Sequence, residues 1–487
     1  MYTTFGSLNT SLQTLLSMQQ SIQTSAHNLS NANTEGYSRQ KTLLTAAPPY
    51  SVPANNRHEA YGQVGTGVVV ERMQRYRSSF LDAQIRNETV KQTGWETRRD
   101  VLQHLEVIWN EPTETALNSR LTEFWDAWRT LATTPQSTAA RTNVVEVADD
   151  LATTIKEVHG QMTDLQTDLD DQIARHVDTV NDLASRVADL NRQIRNVKGI
   201  NQQPNDLMDQ RDLVLTELSQ YINIDIHESE NGSMMVSLGG RLLVMDDTPA
   251  PLTVQDDPAN GMLNRVVWAD TGRVVNVAGV NLGGGLAGQN TTYLGGKLGA
   301  AFIARDVLIP TEMGHLDDMA AAMITGVNAL QQTGYDLNST QNGLAFFTGT
   351  GALDMAVNSA IKADTNLIAA AADPAGAPAD GYMALQISRL EQGKLMNGGT
   401  TTINEYYRAS LAELGQQTQQ AEMMANNHDT LVTHLNESQQ RISGVSLDEE
   451  TTNLLKFQHA YQASARVMTT VDEMIDTIIN KMGLVGR

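Results

Sequence analysis

Apolar residues near the start of the chain fall at Leu8, Leu12, Leu15, Ile22, Ala26 and Leu29, with the polar Gln19 filling the one vacant place. The steps of 4, 3, 4, 3, 4 and 3 residues are those of a coiled-coil seam. They predict a helix opening near Ser7 and closing in Asn31, Asn33 and Gly36, residue types that tolerate the left-handed conformation of a helix end. The same rhythm returns at the far end. Leu447, Leu454, Tyr461, Ala465, Met468, Ile475, Ile479 and Met482 keep it, with Thr451, Gln458 and Asp472 in the remaining places. Ser446 and Glu449 precede that run as a capping box. Two seams at opposite ends of a chain invite pairing with each other.

Between them the pattern is mostly helical. Residues 76–109 read as one helix, Asn110, Glu111 and Pro112 interrupt it, and a second helix carrying Phe124, Trp125 and Trp128 runs to about Thr133. Thr134 is then a cap with Pro135 behind it. From Val144 to Val197 the 4, 3 pattern continues, except for two successive steps of four from Leu169 to Ile173 to Val177, a stutter that relaxes supercoiling. As one helix, residues 141–198 extend roughly 87 Å at the standard rise. Pro204 opens a short helix to about Tyr221. The pattern then switches to alternation with NG, GG, DD and TG turns, which predicts an antiparallel β insertion over 222–296. Helix resumes at Lys297, is kinked or broken near Pro310 and fades near Gly334. Residues 336–380 are irregular, and Thr402 with Glu405 caps a last body helix to about Ile442.

The expected fold is therefore mainly α, a long-helix bundle with coiled-coil character built from both parts of the chain, with an inserted antiparallel β domain. Residues 1–45 with 446–487 form the terminal coiled-coil unit, 46–221 with 297–445 the helical body, and 222–296 the β domain.

Charge changes this picture in two places. The chain has 487 residues, 56 acidic and 34 basic, for a net charge of −22. That balance argues against nucleic acid as a partner. Yet Glu35 is the first Asp, Glu, Lys or Arg in the chain. Solvated helices normally carry charges, so an uncharged helix with Thr10, Gln13, Thr14, Gln20, Gln23 and Thr24 on its polar face predicts intermolecular packing. The cluster Arg72, Arg75 and Arg77 stands out in an acidic chain. It reads either as solvated surface or as a contact with acidic neighbouring subunits.

Chemistry is hard to find. The absence of cysteine removes disulfides, thiolate metal sites and thiol nucleophiles. The ten histidines show no HExxH spacing, so neither a metal site nor a cofactor is implied. LGGGLAG at 282–288 lacks the Lys and Ser/Thr of a phosphate loop, and Asp164, Asp168 and Asp171 flank a seam as a solvated face. No catalytic residue is assigned. The beginning of the chain lacks the features of a cleaved secretory signal, and no stretch of 18 apolar residues suggests membrane insertion.

The segment NLSNANTEGYSRQ (28–40) and the closing GVSLDEETTNLLKFQHAYQASARVMTTVDEMIDTIIN resemble the paired end motifs of the bacterial flagellar axial proteins, the rod, hook and hook-associated proteins. GQVGTGVVVERMQRYRSSFLDAQIRNE and GVSLDEE narrow the resemblance to the hook-associated branch at the hook–filament junction. The motif falls on Asn28, Leu29, Asn31, Asn33, Thr34, Gly36 and Tyr37, and on Leu454, Leu455, Gln458, Tyr461, Ala463 and Ala465. Ser30 departs from the usual Ala.

The resemblance implies a structural, non-enzymatic adaptor needed for filament assembly and located in the extracellular flagellum. It implies passage through the flagellar type III export apparatus, without a cleaved signal, and ends that order on assembly. Its implied partners are the hook protein, a second hook–filament junction protein, further copies of itself in a ring or helical layer, and a cytoplasmic export chaperone on the C-terminal helix. Alternatives are a hook or distal-rod protein, whose bodies are mostly β, and a secreted enzyme carried on axial-protein ends. Residues 222–380 offer no nucleophile, base or metal set for the latter.

Overall fold

The longest helix sets the frame. In the computed structural model, which describes residues 4–48, 65–109, 117–275, 294–341 and 343–481, it runs unbroken from Thr138 to Gly199. In chain order the helices are α1 (Thr4–Ser30), α2 (Ser79–Trp109), α3 (Leu117–Thr133), α4 (Thr138–Gly199), α5 (Asn205–Tyr221), α6 (Gly296–Ile303) and α7 (Ile309–Gln331). The short α8 (Ser359–Ala363) and α9 (Tyr382–Arg389) precede the long α10 (Ile403–Ser443) and α11 (Leu447–Asp476). The interruption at Asn110–Pro112, the LGGGLAG segment and Met482 lie outside the described residues.

At 62 residues α4 is about 93 Å long at 1.5 Å per residue. Its seam residues from Val144 to Ile194 are all buried. The stutter has a structural counterpart, because it divides two apolar cores. Residues up to Leu169 belong to a core shared with α2, α3, α7, α9 and α10. Residues from Ile173 onward belong to another, shared with α5, α6 and the strands. The first core holds Trp109, Trp125, Trp128, Phe124, Phe346 and Phe347, packed edge to face with Phe124 4.8 Å from Trp125 and Trp128 5.1 Å from Phe346.

Two predicted caps move. α4 is capped by Ser137, whose hydroxyl accepts from the Ala140 amide, while Thr134 accepts from the Ser137 amide in a turn that precedes the helix. α1 begins a turn before Ser7. The Thr402–Glu405 capping box is complete. Only half of the Ser446–Glu449 box forms, because the Glu449 carboxylate is drawn to Arg39 instead. Near Pro310 the helix does not break. A π turn over Ala304–Leu308 joins α6 to α7, an adjustment that accommodates the donor and the space proline denies a regular helix.

Strands β1 (Gln40–Ala46) and β2 (Val68–Arg75) pair antiparallel with a register shift at Leu43/Leu44, a hairpin the sequence pattern did not predict. It lies against α1. In the insertion, β3 (Asp225–Glu228), β4 (Met234–Leu238), β5 (Arg241–Met245) and β6 (Thr248–Pro249) form an antiparallel sheet in that order. β7 (Leu252–Asp257) and β8 (Leu263–Trp268) make a separate hairpin, and β9 (Phe347–Thr348) pairs with β10 (Ala356–Val357). The strands of the insertion do not enclose a core of their own. Val236, Val244, Val266 and Trp268 pack with α4, α5 and α6, as strands this short require.

Helical amides hold these strands in register. Asn181 donates to the Leu252 carbonyl (2.8 Å) and accepts from its amide (2.8 Å), Asn191 brackets Met234 at 2.8 and 3.0 Å, and Asn328 brackets Phe347 at 2.8 and 2.9 Å. Each bracket satisfies both backbone groups of a residue that meets a helix rather than another strand.

Candidate assembly site

The fourth such bracket is the centre of the motif that ends α1. Asn28, 1% exposed, donates to the Gln40 carbonyl (2.8 Å) and accepts from the Gln40 amide (3.0 Å) and the Tyr37 hydroxyl (2.7 Å). The segment between these residues is a tight return. Asn31 closes the helix by hydrogen bonds to the His27 carbonyl, Thr34 donates to the Asn31 carbonyl, and Asn33 stays exposed. Gly36 takes φ +77° against Leu213, where an added Cβ would lie 3.3 Å from the leucine Cβ. Burial, then the charges of Asp206, Asp209 and Glu450, hold the Tyr37 phenol well above its ordinary range.

The return is clasped by its neighbours. The Ser38 amide donates to Asp209 (2.9 Å), and the Gln40 side chain bridges Asp206 (2.6 Å) and Asn205 (3.0 Å) at the start of α5. Arg39 forms a two-toothed pair with Glu449 (2.7 and 3.0 Å) and a third bond to the buried Glu450 (2.8 Å). Its own amide donates to the Ser443 carbonyl, at the end of α10. One tripeptide therefore ties α1 to α5, α10 and α11.

Arg75 and Arg77 complete this joint from within the chain. Arg75 pairs with Asp209 (2.7 Å) and Asp212 (2.9 Å), and Arg77 with Asp82 (2.9 Å). Asp82 also accepts from Gln439 (3.1 Å), which brings in α10. Burial pushes the Asp209 carboxyl up against the opposing pull of Arg75 and Ser38. Of the three arginines singled out in the sequence, Arg72 remains on the surface.

The terminal pair places its seam residues unevenly. α11 packs along α1. On α1 the buried residues are Ser11, Ser17, Met18, Ser21, Thr24, Ser25 and Asn28, a face with hydroxyls that bond to α1 carbonyls and, from Ser17, to Val68 of β2 (2.9 Å). Leu8, Leu15, Ile22 and Ala26 are half-buried, whereas Leu12, Leu29 and Gln19 are exposed. On α11, Leu454, Ala465, Met468 and Ile475 are half-buried, and Leu447, Gln458, Tyr461 and Ile479 are exposed. The covered line there also takes Phe457, Ser464 and Val471, one residue before the predicted Gln458, Ala465 and Asp472. The covered line therefore draws on two registers one residue apart. Exposed apolar residues include Leu12 (45% exposed) and Leu16 (57%) on α1, and Leu455, Val467, Met474, Ile478 and Ile479 farther along the pair.

Residues 102–347 match the family model described as the flagellar hook-associated protein FlgK helical domain. The flagellar hook-associated protein 1 of Bacillus subtilis (strain 168) is 32% identical across the full length of both chains. The chain belongs to the flagellar hook-associated protein 1 family. The hook-associated protein 1 of Escherichia coli (strain K12) is 24% identical, over 97% of this chain and 99% of that one. Residues 439–481 match the C-terminal model of the flagellar basal body rod FlgEFG proteins, so that element is shared more widely than the helical body. The flagellar hook junction protein FlgK from Burkholderia pseudomallei has the same fold, with a TM-score of 0.60 and 17% identity over 74% of this chain and all of that one.

Proposed function

We propose that the chain is a structural component of the bacterial flagellum, a non-enzymatic adaptor between hook and filament. Membership of the hook-associated protein 1 family supports this role. The observation that carries the mechanism is the inverted terminal pair. α1 buries Ser11, Ser17, Ser21, Thr24 and Ser25 and leaves Leu12 and Leu16 exposed. A free face of that kind gains by burial against neighbouring subunits, and its lack of charge removes the desolvation cost of packing like faces together.

In this reading the terminal pairs pack with one another in a ring or helical layer, the long α4 body lies outside them, and the strands of the insertion lie farther out. The hook protein sits on one side and a second junction protein on the other. The chain reaches that place, outside the cell, through the flagellar export apparatus, with a cytoplasmic chaperone covering the exposed face of α11 beforehand. Arg72 is the member of its cluster available to an acidic neighbour.

A deletion strain complemented in trans tests this reading. Cells without the chain should build hooks and no filaments, the parent chain should restore filaments, and Leu12→Glu with Leu16→Glu should not, although that variant is exported and folded. Filaments of normal length on hooks in the deletion strain would overturn the proposal.

A further inference from the structure

Two runs of chain connect the apolar cores: α4 stays α-helical and only shifts its apolar register at the crossing, whereas the other run leaves regular α-helix there. The first core takes Leu169 of α4 and Ala304, and the second takes Ile173 and Phe302. α4 crosses at its stutter, and α6 passes to α7 through the π turn Ala304–Leu308. The other close passage there, α2 beside α6, brings Gly94 to Gly296 with no side chain between them, so that a Cβ on Gly94 would sit 3.6 Å from the Gly296 oxygen.

One buried cation sits at this level. Arg305, 1% exposed, donates to Asp170 of α4, to the Asn264 carbonyl of β8 (2.7 Å) and to Asp306 (2.7 and 3.0 Å), beneath the Phe302 ring. Asp170 accepts from the Asn264 amide (2.9 Å) and side chain (2.7 Å), and Asp306 from Asn260 (3.0 Å). The cluster therefore joins the stutter, the π turn and the β7–β8 hairpin.

We propose that this level is a bending joint between the two cores and that the Arg305 cluster is its latch. Regular helices crossing a boundary resist bending through every i→i−4 bond and every interlocked side chain. The π turn relaxes the first constraint in one run and the stutter the second in the other, at one height. Apolar contacts tolerate small slides, but a guanidinium that must satisfy two carboxylates and a carbonyl fits one arrangement, because leaving a buried charge unpaired is costly. The inference stands on the geometry of the chain, whatever structures it joins.

The chain has no cysteine, so spin labels go only where they are placed. Labels on the exposed Gln161→Cys and Glu230→Cys positions report one core against the other in the full-length chain. Arg305→Met and Asp170→Asn should each widen the distance distribution by at least about twofold, as for a hinge whose two arrangements become comparable in energy, with helical content retained. Distributions as narrow as the parent's in folded variants would overturn the proposal. Hydrogen exchange on the unmodified chain decides the matter if neither variant folds. Amides of residues 170–173 and 304–309 should then exchange at least about tenfold faster than the helical turns on either side, and equal protection would refute the joint.

Discussion

Replacing Asn28 by alanine removes the bracket that holds the terminal return. The Gln40 amide and carbonyl lose their partners in a buried site, and the Tyr37 hydroxyl loses its acceptor. An unsatisfied buried backbone group costs about 1–3 kcal/mol. The half-buried Tyr37 can turn to water, so the two Gln40 groups set the scale at about 2–6 kcal/mol. That penalty falls on the joint and not on the body, because the cores contain no residue of residues 28–40. A global melting curve is therefore the wrong assay for a chain with more than one cooperative unit. Hydrogen exchange of the β1 amides that pair with β2 is the right one. At tenfold per 1.4 kcal/mol, Asn28→Ala should speed their exchange by about 30-fold to about 20,000-fold while α4 amides keep their rates. Tyr37→Phe, which removes one of three bonds, should cost only about 1 kcal/mol. The reasoning fails if Asn28→Ala changes β1 exchange by less than about threefold, or if β1 in the parent already exchanges like an unfolded peptide.

Three further outcomes follow from the same structure. Arg39→Met should weaken the docking of α11 by about 3–5 kcal/mol by leaving Glu450 buried without its cation, read as faster exchange at the start of α11. Hydrogen bonding from Arg39 depresses the Glu449 carboxyl below its ordinary 4.5. Its contribution is therefore present above that value and lost as pH falls through the depressed one, and Glu449→Gln should flatten this arm of a stability titration. In the body, Ile173→Ala should cost about 2–5 kcal/mol in denaturant unfolding, since Ile173 is fully buried at the stutter.

The single α4 helix was legible because its seam is strictly apolar over many heptads, and a long uninterrupted rhythm leaves little else for the chain to do. The β1–β2 hairpin was not legible. VVVERMQR mixes an apolar run with charges, and the strand faces a polar helix surface, so the usual alternation of apolar and polar residues is absent. The asparagine brackets were also missed, because an isolated Asn on a helix has no periodic signature. The visible hint was NLSNANTEGYSRQ itself, whose Asn28, Gly36 and Tyr37 proved to be parts of one joint. Arg75 and Arg77 show the reverse difficulty. Their acidic partners Asp209 and Asp212 lie more than 130 residues away, and only the fold brings them together.

The central claim is that the outward apolar face of the terminal pair is an interface between copies. Cysteines at Leu12 and Ile479, in a chain that has none of its own, test it by oxidative cross-linking. Cross-linked dimers and higher species should appear in purified hook–filament junctions and be absent from the free chain in dilute solution. Functional flagella in which both cysteines stay monomeric and reactive would contradict the account.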